Sequence, residues 1–204
     1  MTGLPDIVVV DTCVLISNVL RRLLLRLARQ NCFGLAWSPI IGDEWRRTAA
    51  HLWEASAADL QAQWEALQAE FPDADQGDIS AFKSDLRRSD PKDWHVIAAA
   101  RAAQARQPQA SVAILTRNIK DFNRSELHGL GLALYDPDKF LLQCWQTYPE
   151  FLRHSLESIS LDFEAVGRHR EPIGETLKRE RLFRLSKACV SWVALQRHPV
   201  SPPG

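Results

Sequence analysis

The segment Asp6-Ile7-Val8-Val9-Val10-Asp11 decides the fold. Its four apolar residues are all β-branched and follow one another without polar alternation. This pattern is typical of a central strand in a parallel sheet, where both faces of the strand are buried. Asp11 stands at the carboxyl end of this strand. Because ligands of parallel sheets bind beyond the carboxyl ends of the strands, Asp11 is the first candidate for a functional residue.

Further short apolar segments alternate with helical patterns along the chain. Strands are predicted at residues 35–37, 111–115 and 129–135. Helices are predicted at 14–30, from 38 to 53, at 57–71, from 90 to about 107, and from 136 onward. Strands that alternate with helices form βαβ units, and their right-handed crossovers predict a three-layer α/β/α sandwich with a mainly parallel sheet.

Beyond residue 147 only helical patterns remain, at 148–165 and 173–197. We therefore expect a first domain of residues 1–147 and an all-helical C-terminal extension of residues 148–204.

The composition excludes several classes of protein. Lys and Arg number 25 and Asp and Glu also number 25, so the chain lacks the strong positive charge of a protein held on nucleic acid by net charge alone. The four cysteines are widely spaced without a CxxC pair, which predicts reduced thiols rather than a zinc site or a disulfide framework. No segment resembles a signal peptide or a membrane span, so a soluble cytoplasmic protein is expected.

Four polar side chains are predicted to meet at one end of the sheet. Asp11 and Asn118 follow strands, and Glu44 and Asp93 lie near helix starts that face the same end. Clustered carboxylates repel one another, and Mg²⁺ or Mn²⁺ is the type of cation that suits such oxygen ligands. Metal ions bound in this way support hydrolysis of a phosphodiester.

Each acid taken alone also has an ordinary structural explanation. Asp11 could cap the helix that follows it, and Glu44 could be a solvated helix residue. Asp90 precedes Pro91 as a helix N-cap does, and Asp93 then occupies the capping-box position three residues later. The order and context of the acids favour the functional interpretation.

Several blocks of sequence, in this order, resemble the PIN-domain family. They are residues 8–12 (VVVDT), Glu44 after the second strand, residues 90–100 (DPKDWHVIAAA), residues 114–122 (ILTRNIKDF) and residues 135–141 (YDPDKFL). Within the family the chain is most similar to VapC-type toxins of bacterial toxin-antitoxin modules.

The resemblance covers residues 6–143 and implies a metal-dependent endoribonuclease. Its catalytic residues would be Asp11, Glu44, Asp93 and Asn118. Asp11 and Asp93 would be direct ligands of Mg²⁺, with Mn²⁺ as a substitute, and Glu44 would act through a water molecule. Many relatives have Asp where this chain has Asn118, and the neutral amide favours one firmly bound ion over two.

The resemblance also implies residues that support the metal ligands. Thr116 would hydrogen-bond to the ligands and fix their geometry, and Thr12 and Asp121 are further candidates for this role.

RNA phosphates are bound mainly by Arg and Lys. Arg46, Arg47 and Arg117 adjoin the predicted site in sequence and are the RNA-binding candidates, although each could equally be an ordinary solvated arginine.

A toxin of this type would bind a cognate antitoxin protein and pair as a homodimer, both by resemblance. The acidic stretch 54–78, with Trp53, Leu60, Trp64, Leu67 and Phe71, is the candidate docking surface for the antitoxin, or else an amphipathic hairpin of the fold. Two other functions stay open: a nuclease that processes RNA or cuts DNA without an antitoxin, and a catalytically silent binding module.

Overall fold

The computed structural model describes residues 3–165 and 172–197. Its sheet has four parallel strands in the order β2-β1-β3-β4. The strands are β1 Ile7–Val10, β2 Gly34–Ala36, β3 Val112–Leu115 and β4 Ala133–Tyr135. From β1 the chain moves outward to β2 and then crosses to β3 on the other side. The switch point between β1 and β3 is the place where an open parallel sheet leaves a crevice for ligands.

Ten helices accompany these strands in the described part of the chain. They are α1 Thr12–Leu15, α2 Asn18–Arg29, α3 Pro39–Trp53, α4 Ala57–Glu70, α5 Trp94–Arg106, α6 Arg124–Gly129, α7 Pro137–Thr147, α8 Pro149–Ala165, α9 Ile173–Arg179 and α10 Phe183–Arg197. Single 3₁₀ turns lie at Ser80–Lys83, Pro91–Asp93 and Ile119–Asp121. The predicted α/β/α sandwich with a parallel sheet and C-terminal helices is confirmed.

Three predicted elements differ from the observed ones because local capping interrupts them. The helix predicted at 14–30 is divided into α1 and α2, since the Ser17 side chain accepts a hydrogen bond from Leu20 N and starts a new helix. The strand predicted at 129–135 begins at Ala133, after α6 and a turn in which Gly131 has a φ of +70°. The helix predicted at 173–197 is interrupted between α9 and α10, where Arg181 has a φ of +58°.

Helix α5 places the residues of the candidate site against the sheet. It packs on β1, β2 and β3. The side of α5 that is buried is rich in small residues, which let the helix approach the strands closely. These residues are Ala98, Ala99, Ala100, Ala102 and Ala103. Because helices in βαβ units run antiparallel to the strands, the N-terminus of α5 and Asp93 lie at the carboxyl ends of the strands.

Helix α3, which carries Glu44, is fixed by a close contact with α4. A Cβ added at Gly42 would lie 2.5 Å from the Trp64 ring, so only glycine allows the two helices to pack at this distance. Trp64 is 3% exposed and Leu60 is 1% exposed. The prediction that these two residues belong to a docking surface is wrong, because both are buried in the fold.

The chain divides into two compact units, residues 1–137 and 138–204. Within the second unit, the carboxylate of Asp138 accepts hydrogen bonds from the backbone N–H groups of Arg184 (3.0 Å) and Leu185 (3.1 Å) at the start of α10. Residues 166–171 and 198–204 of the predicted extension lie outside the described residues. The predicted division into residues 1–147 and 148–204 stays a prediction. Among the described helices, none has the length and apolar character needed to cross a membrane.

Candidate active site

Asp11 and Thr116 meet at the switch point between β1 and β3. The backbone N–H of Asp11 donates to Leu115 O (3.1 Å), which continues the pairing of the two strands to their ends. The Thr116 hydroxyl donates to Asp11 Oδ2 at 2.6 Å. Asp11 is 4% exposed and occupies the N-cap position of α1 without accepting a side-chain capping bond. Asp11 is thus the N-cap residue of α1 but does not cap the helix with its side chain, and Thr116 orients its carboxylate.

Glu44 is held from two sides through a single oxygen. The Thr12 hydroxyl donates to Glu44 Oε2 at 3.1 Å. His95 Nε2 lies 3.1 Å from the same oxygen, in an ion pair that lacks hydrogen-bond alignment. Burial opposes the charge of Glu44, but the contacts with His95 and Thr12 outweigh burial and lower its pKa. Glu44 thus stays ionised at the edge of the site.

His95 completes this contact from the first turn of α5. Its Nδ1 lies 2.8 Å from Lys92 O, an acceptor, so Nδ1 carries the proton. Burial is the largest single effect and works against the charged imidazole, yet the contacts with Glu44 and Lys92 O and the charge of Asp11 together outweigh burial and raise the pKa of His95. The sequence analysis assigned no role to His95. The available signal was its position two residues after Asp93 on the same helix start.

Asp93 is the least satisfied carboxylate of the cluster. It ends the 3₁₀ turn before α5, is 9% exposed, and makes no capping bond. Its Oδ2 is buried without a hydrogen-bond partner among the described residues. Burial first, and then the charges of Asp11 and Asp121, raise the pKa of Asp93 to about 6. A nearby cation would relieve both effects.

The neighbouring Asp90 has the structural role predicted for it. Its carboxylate accepts a hydrogen bond from Lys92 N (3.1 Å) and forms an ion pair with Lys92 Nζ (3.0 Å). The capping interpretation of Asp90 is confirmed, whereas Asp93 leaves its own capping bond unmade.

Asn118 and Asp121 lie beyond β3. The Asn118 side chain is exposed, and its backbone N–H donates to Thr116 Oγ1 at 3.0 Å. Asp121 is half-buried, and its charge contributes to the raised pKa of Asp93. The structure thus brings Asp11, Thr116 and Asp93 together with Asp121, and leaves the Asn118 amide at the surface.

Cys13 is a second residue of the site that the sequence analysis missed. Its thiol donates to Asp11 Oδ2 at 3.1 Å and lies 3.4 Å from Thr116 Oγ1. Burial and the charge of Asp11 raise the pKa of Cys13 to about 12, so the thiol is a neutral donor to Asp11.

A family model described as a PIN domain matches residues 7–120, more than half of the chain. The chain belongs to the PIN-domain family. Neither a curated protein nor a solved structure matches it. PIN domains are nucleases as a class and typically use divalent metal ions, so the cluster at the switch point of this PIN domain is its candidate active site.

The residues of this PIN domain fit a hard divalent cation held by few protein ligands. Asp11 and Asp93 supply buried carboxylate oxygens, one of them unpartnered. No group of three or more His, Cys, Asp and Glu side chains among the described residues is arranged to enclose an ion. Mg²⁺ commonly binds through one or two carboxylates and keeps several waters, which matches this donor set.

The three predicted RNA-binding arginines differ in their surroundings. Arg46 is paired with Asp43 and stacks on Trp64, with its guanidinium carbon 5.8 Å from the ring centroid. These contacts give Arg46 a structural role in α3, and its role as an RNA ligand stays a prediction. Arg47 is exposed and lines a surface cavity of about 380 Å³ with Thr12, Glu44 and Thr48. Arg117 is exposed as well, and its backbone N–H donates to Cys13 Sγ at 3.2 Å.

Proposed function

We propose that this PIN domain is a Mg²⁺-dependent endoribonuclease that hydrolyses RNA phosphodiester bonds. The observation that carries the proposal is Asp93, a buried carboxylate with an unpartnered oxygen that faces the charge of Asp11 at the switch point of the sheet. Such an arrangement costs stability in the metal-free chain and is favourable once a cation lies between the two groups.

Asp11 and Asp93 are the proposed ligands of the ion, and Mn²⁺ would bind the same oxygens. When bound, the ion lowers the pKa of a water molecule and neutralises charge on the attacked phosphate. Thr116 holds Asp11 in place through its 2.6 Å hydrogen bond, and the Cys13 thiol supports the same oxygen. The exposed amide of Asn118 adds no negative charge, which favours one bound ion.

Glu44 is the proposed residue that orients the attacking water. Thr12 and His95 both contact Oε2 of Glu44, so Oε1 is the oxygen assigned to the water. The lowered pKa of Glu44 keeps this oxygen an acceptor at neutral pH. Arg47, on the same cavity, is placed to contact an RNA phosphate.

We further propose that the protein is the cytoplasmic toxin of a toxin-antitoxin module and forms a homodimer. These assignments rest on the similarity of residues 6–143 to VapC-type toxins. The nuclease domain would then comprise residues 1–147, and a cognate antitoxin would restrain it. Because Leu60 and Trp64 are buried, an antitoxin that contacts the stretch 54–78 would bind its exposed acidic side chains.

The decisive experiment measures cleavage of total RNA by the purified chain, freed of any partner, in Mg²⁺ or Mn²⁺. Asp11→Asn and Asp93→Asn should abolish cleavage, and EDTA should do the same. Asp90→Asn is the matched control, because it removes a charge from the same loop while asparagine still caps the turn. Cleavage by Asp93→Asn at the wild-type rate would show that the site is assigned wrongly.

Two results would favour the other candidate functions. Metal binding without cleavage of any RNA, together with harmless expression in cells, would support a catalytically silent binding module. Cleavage of RNA or DNA without toxicity on expression would support a processing nuclease that has no antitoxin.

A further inference from the structure

A short segment beside the candidate site is clamped by one carboxylate from α6. Glu126 Oε1 accepts hydrogen bonds from the backbone N–H groups of Arg87 (2.7 Å) and Arg88 (3.0 Å). Glu126 Oε2 accepts one from the backbone N–H of Ser89 at 2.9 Å. Three donors on one carboxylate hold the backbone of residues 87–89 in a fixed position.

The clamp leaves the side chains of Arg87 and Arg88 facing solvent. Both are exposed, and they line a surface cavity of about 440 Å³. Arg101 lines the same cavity, but its guanidinium donates to Phe82 O (2.5 Å) and Ser84 O (2.7 Å). Asp85 and Glu126 also line this cavity, but among the described residues neither Arg87 nor Arg88 forms an ion pair with a carboxylate, so their guanidinium groups can contact an external anion.

A short segment of chain, held by hydrogen bonds, joins this pair of charges to Asp93. Asp93 is five positions after Arg88, so their Cα atoms are at most about 18 Å apart. The backbone N–H of Asp90 donates to Asp121 O at 2.9 Å and fixes the chain between them. An RNA strand cut beside Asp93 would therefore carry other phosphates within a few nucleotides of Arg87 and Arg88.

The charge balance of the site shows why such a subsite is useful. The carboxylates of Asp11, Glu44, Asp93 and Asp121 repel an approaching phosphodiester, and Arg46 is committed to Asp43. Arginines near the site must then supply the cations that bind the RNA backbone.

We infer that Arg87 and Arg88 form a phosphate-binding subsite for single-stranded RNA beside the catalytic site. The subsite contacts backbone phosphates on one side of the cleaved bond and makes no base-specific contacts. The inference rests on the proposed function for the identity of its ligand. Arg87 and Arg88 lie outside the sequence blocks on which the resemblance to the PIN-domain family is based.

The first test measures binding alone, in EDTA, so that no RNA is cleaved. A fluorescent 12-nucleotide single-stranded RNA is titrated with the wild-type chain and with Arg87→Ala/Arg88→Ala at several salt concentrations. The double variant should bind at least about tenfold more weakly at low salt, and the slope of log K against log salt should fall by about 1.4, the value for two phosphates.

The matched control is Arg29→Ala/Arg106→Ala. These arginines are the last residues of α2 and α5, at the opposite edge of the sheet. Both are exposed, with Arg29 paired to Glu70 and Arg106 donating to Asp75 O at 2.8 Å. The control removes the same charge and should leave both the affinity and the salt slope close to wild type. Arg87→Lys/Arg88→Lys should restore most of the salt slope, because lysine supplies the charge without the bidentate geometry.

The second test measures cleavage in Mg²⁺ with RNAs of 4 and 12 nucleotides. Arg87→Ala/Arg88→Ala should raise KM for the long RNA about tenfold with kcat unchanged, since the lost contacts bind the substrate and the transition state equally. The short RNA should be less affected, because fewer of its phosphates reach the subsite.

The outcomes separate the inference from the proposed function. If the wild-type chain cleaves RNA, and Arg87→Ala/Arg88→Ala binds and cleaves RNA as the Arg29→Ala/Arg106→Ala control does, the subsite is overturned and the proposed function is not. If RNA stays intact while Arg87→Ala/Arg88→Ala binds it more weakly and with the smaller salt slope, the ribonuclease is overturned and the subsite is supported. Failure of the wild-type chain to bind RNA at low salt in EDTA also overturns the subsite.

Discussion

Asp93 ends the short segment 87–93, Glu126 from α6 holds the start of the same segment, and the two carboxylates have opposite surroundings. Glu126 receives three backbone hydrogen bonds from residues 87–89, which outweigh its burial and lower its pKa to about 2. Asp93 has a buried oxygen without a donor, and burial with neighbouring acids raises its pKa to about 6. Burial and hydrogen bonding thus act on the pKa of both carboxylates. The presence or absence of hydrogen-bond donors decides whether the pKa is lowered or raised.

The contrast separates structural carboxylates from those available to a ligand. Asp138 accepts backbone hydrogen bonds from the start of α10, and Asp6 accepts bonds from Ser111, so both are satisfied as Glu126 is. Asp93 holds an N-cap position and still accepts no capping bond. A fold that satisfies these three carboxylates and leaves Asp93 Oδ2 without a donor preserves a site for a cation, at a cost in stability.

The largest expected effect is the loss of activity in Asp93→Asn. Loss of groups that merely orient metal ligands lowers activity about 10–100-fold, so loss of a ligand should lower cleavage by more than about 100-fold. Rates are compared with the Asp90→Asn control under the same metal concentration. Equal losses in the two variants would show that Asp93 matters only as part of the loop.

The same substitution should stabilise the metal-free chain. The folded pKa of Asp93, about 6, lies above its ordinary value of 3.8, so its contribution to stability falls as pH rises from about 4 through 6. Asp93→Asn removes this penalty and should raise the free energy of unfolding by about 1–3 kcal/mol at pH 7. Urea unfolding in EDTA at pH 5 and pH 7 measures it. The gain should shrink at pH 5, and a loss of stability at pH 7 would contradict the argument.

The sequence predicted the sheet because its strands carry unbroken apolar runs and its helices carry clear caps. The order of these elements placed Asp11 and Asn118 after strands and Glu44 and Asp93 near helix starts, which is why a cluster at this end of the sheet could be predicted. Thr116 was implied only by the family resemblance, and the Asn118 residue is exposed. The element boundaries depended on single residues, such as Ser17 and Gly131, whose local geometry overrides a periodic pattern.

Other features of the site required the tertiary structure. The contact of His95 with Glu44 joins α5 to α3, and the bond of Thr116 to Asp11 joins β3 to β1. No local pattern reports either one. The Asp43–Arg46 pair differs, since its three-residue helical spacing is visible in the sequence.

A smaller effect is expected at Glu126. In Glu126→Gln an amide nitrogen replaces one acceptor of the clamp, so a donor faces a backbone N–H, and the free energy of unfolding should fall by about 1–2 kcal/mol. Glu150→Gln, on the surface of α8, is the matched control and should change little. The folded pKa of Glu126 lies below its ordinary 4.5, so its contribution is present above that pH and is lost as pH falls toward 2. Wild type should lose more stability over this range than Glu126→Gln, and equal losses would contradict the clamp.

The smallest effect tests whether Asp93 is controlled by burial or by surface charge. Lys92 is an exposed cation that pairs with Asp90 and lowers the pKa of Asp93, against burial and the neighbouring acids. Because an exposed charge is screened by water and salt, Lys92→Gln should raise the pKa of Asp93 by less than about half a pH unit. Carboxyl ¹³C titration by NMR in EDTA, at low and high salt, measures the change, with Lys120→Gln as the control. A rise of a full unit that disappears at high salt would assign Asp93 to surface electrostatics, and its contrast with Glu126 would then no longer mark a cation site.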